Sequence, residues 1–292
     1  MIDAGVRSRL AAALGVPPGA VTIAPAPGGS VGVTAQVIAG RRCFAKLGGL
    51  EAAATFAGEA AGLAALRAAA GEALRVPEVI FVAPAGDDGP GFLLLEWIEP
   101  GAARPDFWER FGRGLAALHR SCAPQFGFAS DNHIGRAPQR NGWRPRWPAF
   151  FRECRLAPQI DRARAAGRCD RALSRRLDAL CGRLDDELGH EPPASLLHGD
   201  LWAGNFLCDE AGAPTIFDPA CYHGDREADL AMTRLFGGFE RRFYDAYAEA
   251  WPLPPGAARR AAIYNLYHAL NHLNLFGRGY AGMVAGLVDA LA

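Results

Sequence analysis

The spacing of apolar residues divides this chain into a strand-rich first third and a helical remainder. Val6, Leu10 and Leu14 recur every four residues, which predicts an amphipathic helix near residues 1–15. An alanine-rich helix is predicted at 50–70. Short apolar runs bounded by turn residues predict strands at 21–24, 31–39, 43–47, 79–83 and 91–96. We therefore predict a small antiparallel sheet with a helix packed beside it.

Beyond residue 100 most apolar positions follow helical spacing. They predict helices at 105–122, 147–166, 170–188, 222–236, 240–251 and 255–276. The region 125–156 is rich in aromatic residues and glycine, and we interpret it as an insertion on the substrate side. The predicted fold class is α+β, with residues 1–99 as a small N-lobe made of the sheet and its helix. Residues 100–292 would form a larger, mainly helical C-lobe.

Composition narrows the classes of function. The 31 basic and 31 acidic side chains balance, so charge gives no reason to expect a nucleic acid or an anionic membrane as partner. No apolar run reaches the length of a membrane span, and the start lacks the order of a signal peptide. The seven cysteines contain no Cys-x-x-Cys pair, which favours free thiols in a cytoplasmic protein. Composition leaves the oligomeric state open.

Two short predicted strands, 195–197 and 215–217, bracket a loop with the layout of a phosphotransfer site. Asp200 follows the first strand in His-Gly-Asp, Asn205 comes five residues later, and Asp218 follows the second strand. Phosphoryl transfer from ATP depends mainly on positioning and charge neutralisation. Asp200 is the candidate base, and Asn205 and Asp218 offer oxygen ligands that suit Mg²⁺. The alternative is a polar turn whose residues serve turn chemistry alone.

Lysine occurs once, at position 46 in the third predicted strand, among 31 basic residues. This usage suggests that Lys46 supplies a compact ammonium where a guanidinium would not serve, although chance retention is the alternative. In a kinase-like lobe this strand carries the lysine that contacts the α- and β-phosphates. Glu59 lies thirteen residues later on the predicted helix and could pair with Lys46. The alternative for Glu59 is a solvated glutamate on a helix face.

Two further segments are candidates for nucleotide binding. The turn Pro27-Gly28-Gly29-Ser30 joins two predicted strands, where backbone N–H groups could cover nucleotide phosphates. Gly-Gly also forms ordinary hairpins, so this turn is weak evidence alone. Glu96-Trp97-Ile98 leaves the last strand of the predicted sheet before Pro100. We expect this hinge to offer its backbone groups to an adenine.

Four polar residues on predicted helices are less diagnostic. His119 ends a helix, where a capping or packing role is expected. Asp229 follows Asp218 by eleven residues and could accept N–H groups of the catalytic loop. His268 and His272 are one turn apart and could bind zinc, but the glutamate of a metalloprotease is missing between them. Buried histidines or polar walls of a substrate pocket are the preferred interpretations.

The spacing of Asp200, Asn205 and Asp218 resembles the catalytic loop and metal aspartate of protein kinases. The phrases HGDLWAGN, DPACYHGDREADLAM, LFGGF and YNLYHALNHLNLFG together resemble the fructosamine kinase family, also called ketosamine-3-kinases. FAGEAAGL, LLLEW and DNHIG extend the resemblance along most of the chain. The HGDLWAGN loop alone marks kinase-like phosphotransferases in general, whereas its combination with DPA and READLAM is much more specific for this family.

The resemblance implies a two-lobed, protein-kinase-like fold and transfer of the ATP γ-phosphate to O3 of a ketosamine. The 3-phosphate would then decompose and release the amine. By the same resemblance, Asp200 would be the base, and Asn205 and Asp218 the Mg²⁺ ligands. Lys46 and Glu59 would position phosphate. The acceptor would be a fructosamine or a ribulosamine, either a small molecule or protein-bound.

One departure from the family pattern concerns the acceptor. The family usually has Tyr-Tyr-Gly-His-Arg-Glu where this chain has Tyr222-His223-Gly224-Asp225-Arg226-Glu227. We expect His223 and Asp225 to lie near the phosphate-accepting side and to affect substrate preference. The alternatives are a kinase for an aminoglycoside, choline or another small alcohol, and a pseudokinase that binds nucleotide without catalysis. The complete set of five candidate residues argues against a pseudokinase.

Overall fold

The computed structural model describes residues 4–28 and 32–292. In the N-lobe, helices α1 and α2 span Ala4–Leu14 and Leu50–Ala69. The strands are β1 Thr22–Pro25, β2 Val33–Ala39, β3 Arg41–Gly48, β4 Val79–Ala83 and β5 Gly91–Glu96. They pair antiparallel in the order β1-β2-β3-β5-β4. The predicted antiparallel sheet with a helix beside it is confirmed.

Alternation along β3 divides the N-lobe into a core face and a cavity face. Cys43, Ala45 and Leu47 are buried in a cluster with α1. Successive side chains of a strand point to opposite faces, so Phe44 and Lys46 face the other way and line the main cavity. The strand register therefore brings the single lysine to the inner face of the sheet.

The C-lobe is mainly helical. Its helices are α3 Phe107–His119, α4 Trp147–Phe150, α5 Ala157–Ala165, α6 Arg171–Gly182, α7 Leu184–Glu187, α8 Glu227–Leu235, α9 Arg241–Ala250, α10 Ala257–Phe276 and α11 Ala281–Ala290. A π-helical segment, Phe151–Leu156, joins α4 to α5. Short 3₁₀ segments lie at Pro18–Ala20, Ala203–Asn205 and Arg278–Tyr280.

Short strands of the C-lobe carry the loops of the site. They are β6 Cys122–Ala123, β7 Asn132–Ile134, β8 Ala137–Gln139, β9 Ala194–Leu197, β10 Phe206–Cys208, β11 Pro214–Ile216 and β12 Tyr222–Gly224. β9 is buried throughout and lies between β12 and β6. β10 and β11 form an antiparallel hairpin. Two sheets thus deliver the ends of β9 and β11 to the same place.

One prediction about this lobe was wrong, and one helix was not predicted. The helix expected from Tyr222 begins at Glu227, because Tyr222–Gly224 pairs with β9 as β12. The Asp225 carboxylate then accepts a hydrogen bond from Glu227 N at 3.0 Å, which satisfies a free N–H of the first helical turn. α11 was not predicted, and its small residues and two glycines give a weak helical signal.

Pro100 and Gly101 join the sheet to the C-lobe. Gly101 N donates to Cys208 O at 2.9 Å, so the chain contacts the β10–β11 hairpin immediately after β5. The boundary between residues 99 and 100 stays a prediction. Within the residues that the structure describes, no helix is long and apolar enough to cross a membrane.

Candidate active site

A cavity of about 680 Å³ lies between the N-lobe sheet and the C-lobe loops. Its volume is in the range of cavities that bind small ligands. Every predicted site residue that the structure describes lines it: Gly28, Lys46, Glu59, Glu96, Trp97, Ile98, Asp200, Asn205 and Asp218. Gly29 and Ser30, also predicted to contact nucleotide, lie outside the described residues.

The catalytic loop leaves β9 through a turn that requires glycine. Gly199 has φ +82°, and a Cβ there would lie 2.1 Å from Ala220 O. Asp229 accepts hydrogen bonds from His198 N at 2.7 Å and Gly199 N at 2.9 Å. The prediction that Asp229 accepts N–H groups of this loop is confirmed. These contacts fix the backbone just before Asp200.

Asn205 connects Asp200 to the backbone of Asp218. Its Nδ2 donates to Asp200 O at 2.8 Å, to Asp200 Oδ2 at 3.3 Å and to Asp218 O at 3.4 Å. The amide nitrogen is therefore occupied by protein, which leaves Oδ1 as the atom available to a ligand in the cavity. Burial and the nearby Asp218 carboxylate raise the pKa of Asp200 to about 7.

Lys46 lies between two carboxylates. Its Nζ is 2.7 Å from Glu59 Oε1 and 2.6 Å from Asp218 Oδ1. Burial opposes the charged form, but Glu59 and Asp218 together raise the pKa of Lys46, so its ammonium stays protonated. The predicted pairing of Lys46 with Glu59 is present. Asp218 has φ +56°, an uncommon backbone conformation for a non-glycine residue and one that recurs at functional sites.

Helix α2 approaches the C-lobe through two glycines on either side of Glu59. A Cβ at Gly58 would lie 2.9 Å from Asn132 Cβ. A Cβ at Gly62 would lie 3.1 Å from Cys221 Sγ and 3.2 Å from Pro219 Cγ. This close packing holds Glu59 against Lys46.

The donor set fits a divalent cation. Three carboxylates (Glu59, Asp200, Asp218) and one ammonium (Lys46) meet here, so full ionisation leaves a net charge of 1 − 3 = −2. Carboxylate oxygens and an amide oxygen are ligands that Mg²⁺ prefers. Burial is the main cause of the raised pKa of Asp200, and the negative charge of Asp218 adds to it.

The polar groups of the predicted hinge differ in whether they already have a partner within the protein. The Glu96 carboxylate pairs with Arg75 at 2.7 Å, and Glu96 N donates to Glu78 O at 2.9 Å, so neither group is free for a nucleotide. Trp97 Nε1 donates to Glu99 Oε2 at 3.1 Å. Among the described residues, the backbone N–H groups of Trp97 and Ile98 have no backbone partner. They are therefore the hinge groups available to an adenine.

Several cavity residues were missed or only partly anticipated. His133 belongs to β7 in the predicted substrate-side insertion, whereas Trp147 and Phe150 of that region are core. Trp202 and Phe276 were not predicted as cavity residues. The HGDLWAGN phrase contained a usable signal for Trp202, since this tryptophan stands two residues after the candidate base, and its side chain is 38% exposed.

The zinc alternative for His268 and His272 is not favoured. His272 Nδ1 donates to His268 O at 2.9 Å, and His268 is buried. Within the described residues, the one cluster of metal-ligand type is His190, Asp225 and Glu227. There Arg260 Nη2 lies 2.7 Å from Glu227 Oε1, so that acid already has a cation partner.

His223 and Asp225, which were predicted to lie near the acceptor, do not line the cavity that contains Asp200. Asp225 is 1% exposed and accepts a hydrogen bond from Tyr264 OH at 2.5 Å, while His190 Nε2 lies 2.8 Å away. His223 lies against Trp143, with ring centroids 5.8 Å apart. Alternation along β12 turns His223 away from the catalytic loop that Tyr222 contacts.

The site thus has the parts of a phosphotransferase: a lysine on the third strand, a helical glutamate, and a loop with aspartate, asparagine and aspartate. The family model of the fructosamine kinases matches residues 4–292. The chain belongs to the fructosamine kinase family. This confirms the family predicted from the sequence motifs.

The similar proteins agree with this assignment. A Synechocystis protein named "probable ketoamine kinase" is 43% identical over 82% of this chain and 79% of its own length. A rice protein (Oryza sativa subsp. indica) named protein-ribulosamine 3-kinase, chloroplastic, is 37% identical over 84% of this chain and 71% of its own. A solved structure described as a "putative fructosamine-3-kinase", from Thermobifida fusca, is 32% identical with a TM-score of 0.86 over 99% of both chains. The predicted α+β, two-lobed, protein-kinase-like fold is confirmed.

Proposed function

We propose that this enzyme transfers the γ-phosphoryl group of ATP to O3 of a ketosamine, either a ribulosamine or a fructosamine. The observation that carries the proposal is the meeting of Lys46, Glu59, Asp200, Asn205 and Asp218 in one cavity. Family membership supports an ATP-dependent phosphotransferase acting on a ketosamine. The rice relative's name supports testing a ribulosamine first.

Asp200 acts as the general base in this proposal. It takes the proton of the O3 hydroxyl while O3 forms a bond to the γ-phosphorus, and the bond to the bridging oxygen of the β-phosphate breaks. The products are ADP and the ketosamine 3-phosphate. A base whose pKa is about 7 is well matched to proton transfer near neutral pH.

Asn205 Oδ1 and the Asp218 carboxylate would hold Mg²⁺. When bound, the ion neutralises charge on the phosphate oxygens and orients them. Asn205 keeps its Oδ1 toward the cavity because Nδ2 is bonded to Asp200 and Asp218 backbone oxygens. These bonds hold the loop of Asp200 and the segment of Asp218 in a fixed position relative to each other.

Lys46 and Glu59 position the α- and β-phosphates, with Glu59 keeping the ammonium in place. The backbone groups of Trp97 and Ile98 bind the adenine, and Gly28, which lines the same cavity, lies beside the phosphates. Residues 1–99 then form the nucleotide-binding lobe, and residues 100–292 supply the base, the metal ligands and the acceptor pocket.

The ketosamine 3-phosphate decomposes spontaneously, without catalysis by the enzyme. Phosphate is a better leaving group than hydroxide, so its loss from C3 of the enolamine form gives an imine that water hydrolyses to the free amine. The reaction would therefore reverse glycation. All seven cysteines are free thiols, which supports a reducing, cytoplasmic location.

The test is Mg-ATP-dependent ADP release with Nε-ribulosyl-lysine, Nε-fructosyl-lysine and an aminoglycoside offered separately. Asp200→Asn and Asp200→Ala serve as blanks, and we expect each to lower kcat by about 10²- to 10⁴-fold while ATP still binds. Turnover with a ketosamine alone supports the proposal. Turnover with the aminoglycoside alone, or an active Asp200 variant, would contradict it.

A further inference from the structure

A group of aromatic side chains extends from the catalytic loop to the end of α10. We call it the aromatic wall, and its members are Trp202, Phe236, His272, Phe276 and Tyr280. The rings of Trp202 and Phe236 are 6.1 Å apart, and those of Phe236 and His272 are 4.8 Å apart. His272 continues the contacts to Phe276 at 5.4 Å and Tyr280 at 5.1 Å. These separations are typical of interacting aromatic pairs.

Two glycines shape the loop side of the wall. A Cβ at Gly204 would lie 2.4 Å from carbons of the Trp202 indole, so the ring lies directly on that backbone. Gly238, with φ +91°, approaches Ala203 so closely that a Cβ would lie 2.5 Å from its methyl group. The second contact holds the end of α8, and hence Phe236, beside Trp202.

The wall is exposed although its rings are large and apolar. Trp202 is 38% exposed, Phe236 36% and Phe276 56%. Clustered exposed aromatic residues commonly mark a binding site. Trp202, His272 and Phe276 also line the cavity that contains Asp200. The wall is therefore continuous with the cavity that contains the candidate base, and its first member, Trp202, follows Asp200 by two residues.

We propose that the aromatic wall binds the amine arm of the acceptor, namely the protonated secondary nitrogen of the ketosamine and the aliphatic chain attached to it. This inference rests on the proposed function. In a ketosamine only C1, C2 and C3 separate that nitrogen from O3. An acceptor with O3 at Asp200 must therefore place its nitrogen nearby.

The chemistry of the wall suits a cation with an apolar stem. Aromatic ring faces attract ammonium groups, and the rings can cover a chain of methylene groups. His272 Nδ1 donates to His268 O, which leaves Nε2 as a hydrogen-bond acceptor. Burial lowers the pKa of His272, so the ring is neutral at neutral pH and can accept an N–H.

The same features disfavour an acceptor with a carboxylate beside the nitrogen. That carboxylate would meet the negative ring faces and the lone pair of His272. The wall therefore predicts a preference for adducts on side-chain amines, such as the ε-amine of lysine, over adducts on α-amino groups of free amino acids.

The experiment compares two ketosamines that share a sugar: Nα-acetyl-Nε-ribulosyl-lysine and ribulosyl-glycine. For Phe276→Leu we expect KM for the lysine adduct to rise about fivefold, as loss of one exposed cation–π contact implies. For Phe276→Arg we expect a larger rise for the lysine adduct and a fall for the glycine adduct, because the guanidinium repels ammonium and attracts carboxylate. KM for ATP should not change in either variant.

Phe81→Leu is the matched control, because Phe81 is a 42% exposed aromatic residue on β4 and does not line the cavity. Equal changes for both adducts in Phe276→Arg, or none, would overturn the assignment of the wall. If the unmodified enzyme phosphorylates neither adduct but accepts another alcohol, the proposed function itself fails. The two failures are therefore distinguishable.

Discussion

His119 Nε2 lies 3.1 Å from Asp229 Oδ2, and this contact joins α3 to the catalytic loop. The same Asp229 carboxylate accepts the N–H groups of His198 and Gly199. On the other side of the ring, His119 Nδ1 lies 2.8 Å from Tyr247 OH. Arg226 donates to that hydroxyl oxygen at 3.2 Å, so the hydroxyl proton is directed to Nδ1 and the Nε2–H donates to Asp229. His119 thus acts as a positioning residue.

Replacing His119 tests this role. His119→Leu leaves the buried Asp229 carboxylate without one donor, so we expect kcat to fall about tenfold with little change in KM for ATP, since loss of a buried hydrogen bond costs about 1–3 kcal/mol. His119→Gln can donate to Asp229 and accept from Tyr247, so it should restore most of the activity. Steady-state kinetics on both variants measures the difference. Equal losses in the two variants would mean that the ring only fills space.

Lys46 is predicted not to tolerate arginine. Its Nζ lies within 2.7 Å of two carboxylates in a side chain that is only 5% exposed, a geometry that matches a compact ammonium rather than a planar guanidinium. We expect Lys46→Arg and Lys46→Met each to lower kcat/KM for ATP by at least about 100-fold, which is comparable to loss of an electrostatic contact in a transition state. Arg41→Met, at an exposed position of the same strand, is the control. Near-normal activity of Lys46→Arg would show that a positive charge is sufficient.

Gly62 is predicted to set the position of Glu59. In Gly62→Val the added side chain meets Cys221 and Pro219 and must displace α2, which carries Glu59 toward or away from Lys46. We expect kcat to fall and the unfolding free energy to decrease by about 1–3 kcal/mol, as in other overpacked sites. Gly286→Ala in α11 is the control, since that position is open and a helical alanine should stabilise by roughly 0.5–1 kcal/mol. An unchanged kcat in Gly62→Val would contradict the prediction, because it would show that activity does not depend on the position of α2.

The strands and the catalytic loop could be predicted from the sequence because their signals are local. The bounds of β4 and β5 agree with the prediction, since turn residues delimit both runs. Asp200, Asn205 and Asp218 could be selected because phosphoryl transfer needs those residue types in that order. Their meeting in one cavity follows from the pairing of β9 with β12 and of β10 with β11.

The aromatic wall could not be predicted as a unit, although His272 was a candidate pocket residue, because the wall depends on long-range packing. His272 and Phe276 reach the loop only when the end of α10 packs beside α8, and no local pattern specifies that contact. His223 and Asp225 were placed near the acceptor by their closeness in sequence to Asp218. Neither residue lines the cavity, because side-chain alternation along Tyr222–Gly224 and the start of α8 turn both away from it.

The last prediction concerns acid stability and His268. This side chain is buried on α10, and its Nδ1 has no hydrogen-bond partner among the described residues. Burial, with a smaller effect of His272, lowers the pKa of His268 from 6.5 to about 3. Below about pH 6.5 the unfolded chain therefore binds a proton that the folded chain does not, and folding loses about 1.4 kcal/mol per pH unit until the pH approaches the folded pKa.

His268→Leu removes this titration. We expect its unfolding free energy at pH 7 to be within about 1.5 kcal/mol of the unmodified protein, because leucine has a similar volume. At pH 5 the unfolding free energy of the variant should be about 2 kcal/mol higher, relative to the unmodified protein, than it is at pH 7. This gain equals about 1.4 kcal/mol per pH unit over the one and a half units between pH 6.5 and pH 5. Urea unfolding followed by tryptophan fluorescence at both pH values measures the gain. If both proteins lost the same stability between pH 7 and pH 5, other groups would account for the acid sensitivity, and the histidine would be protonated in the folded state.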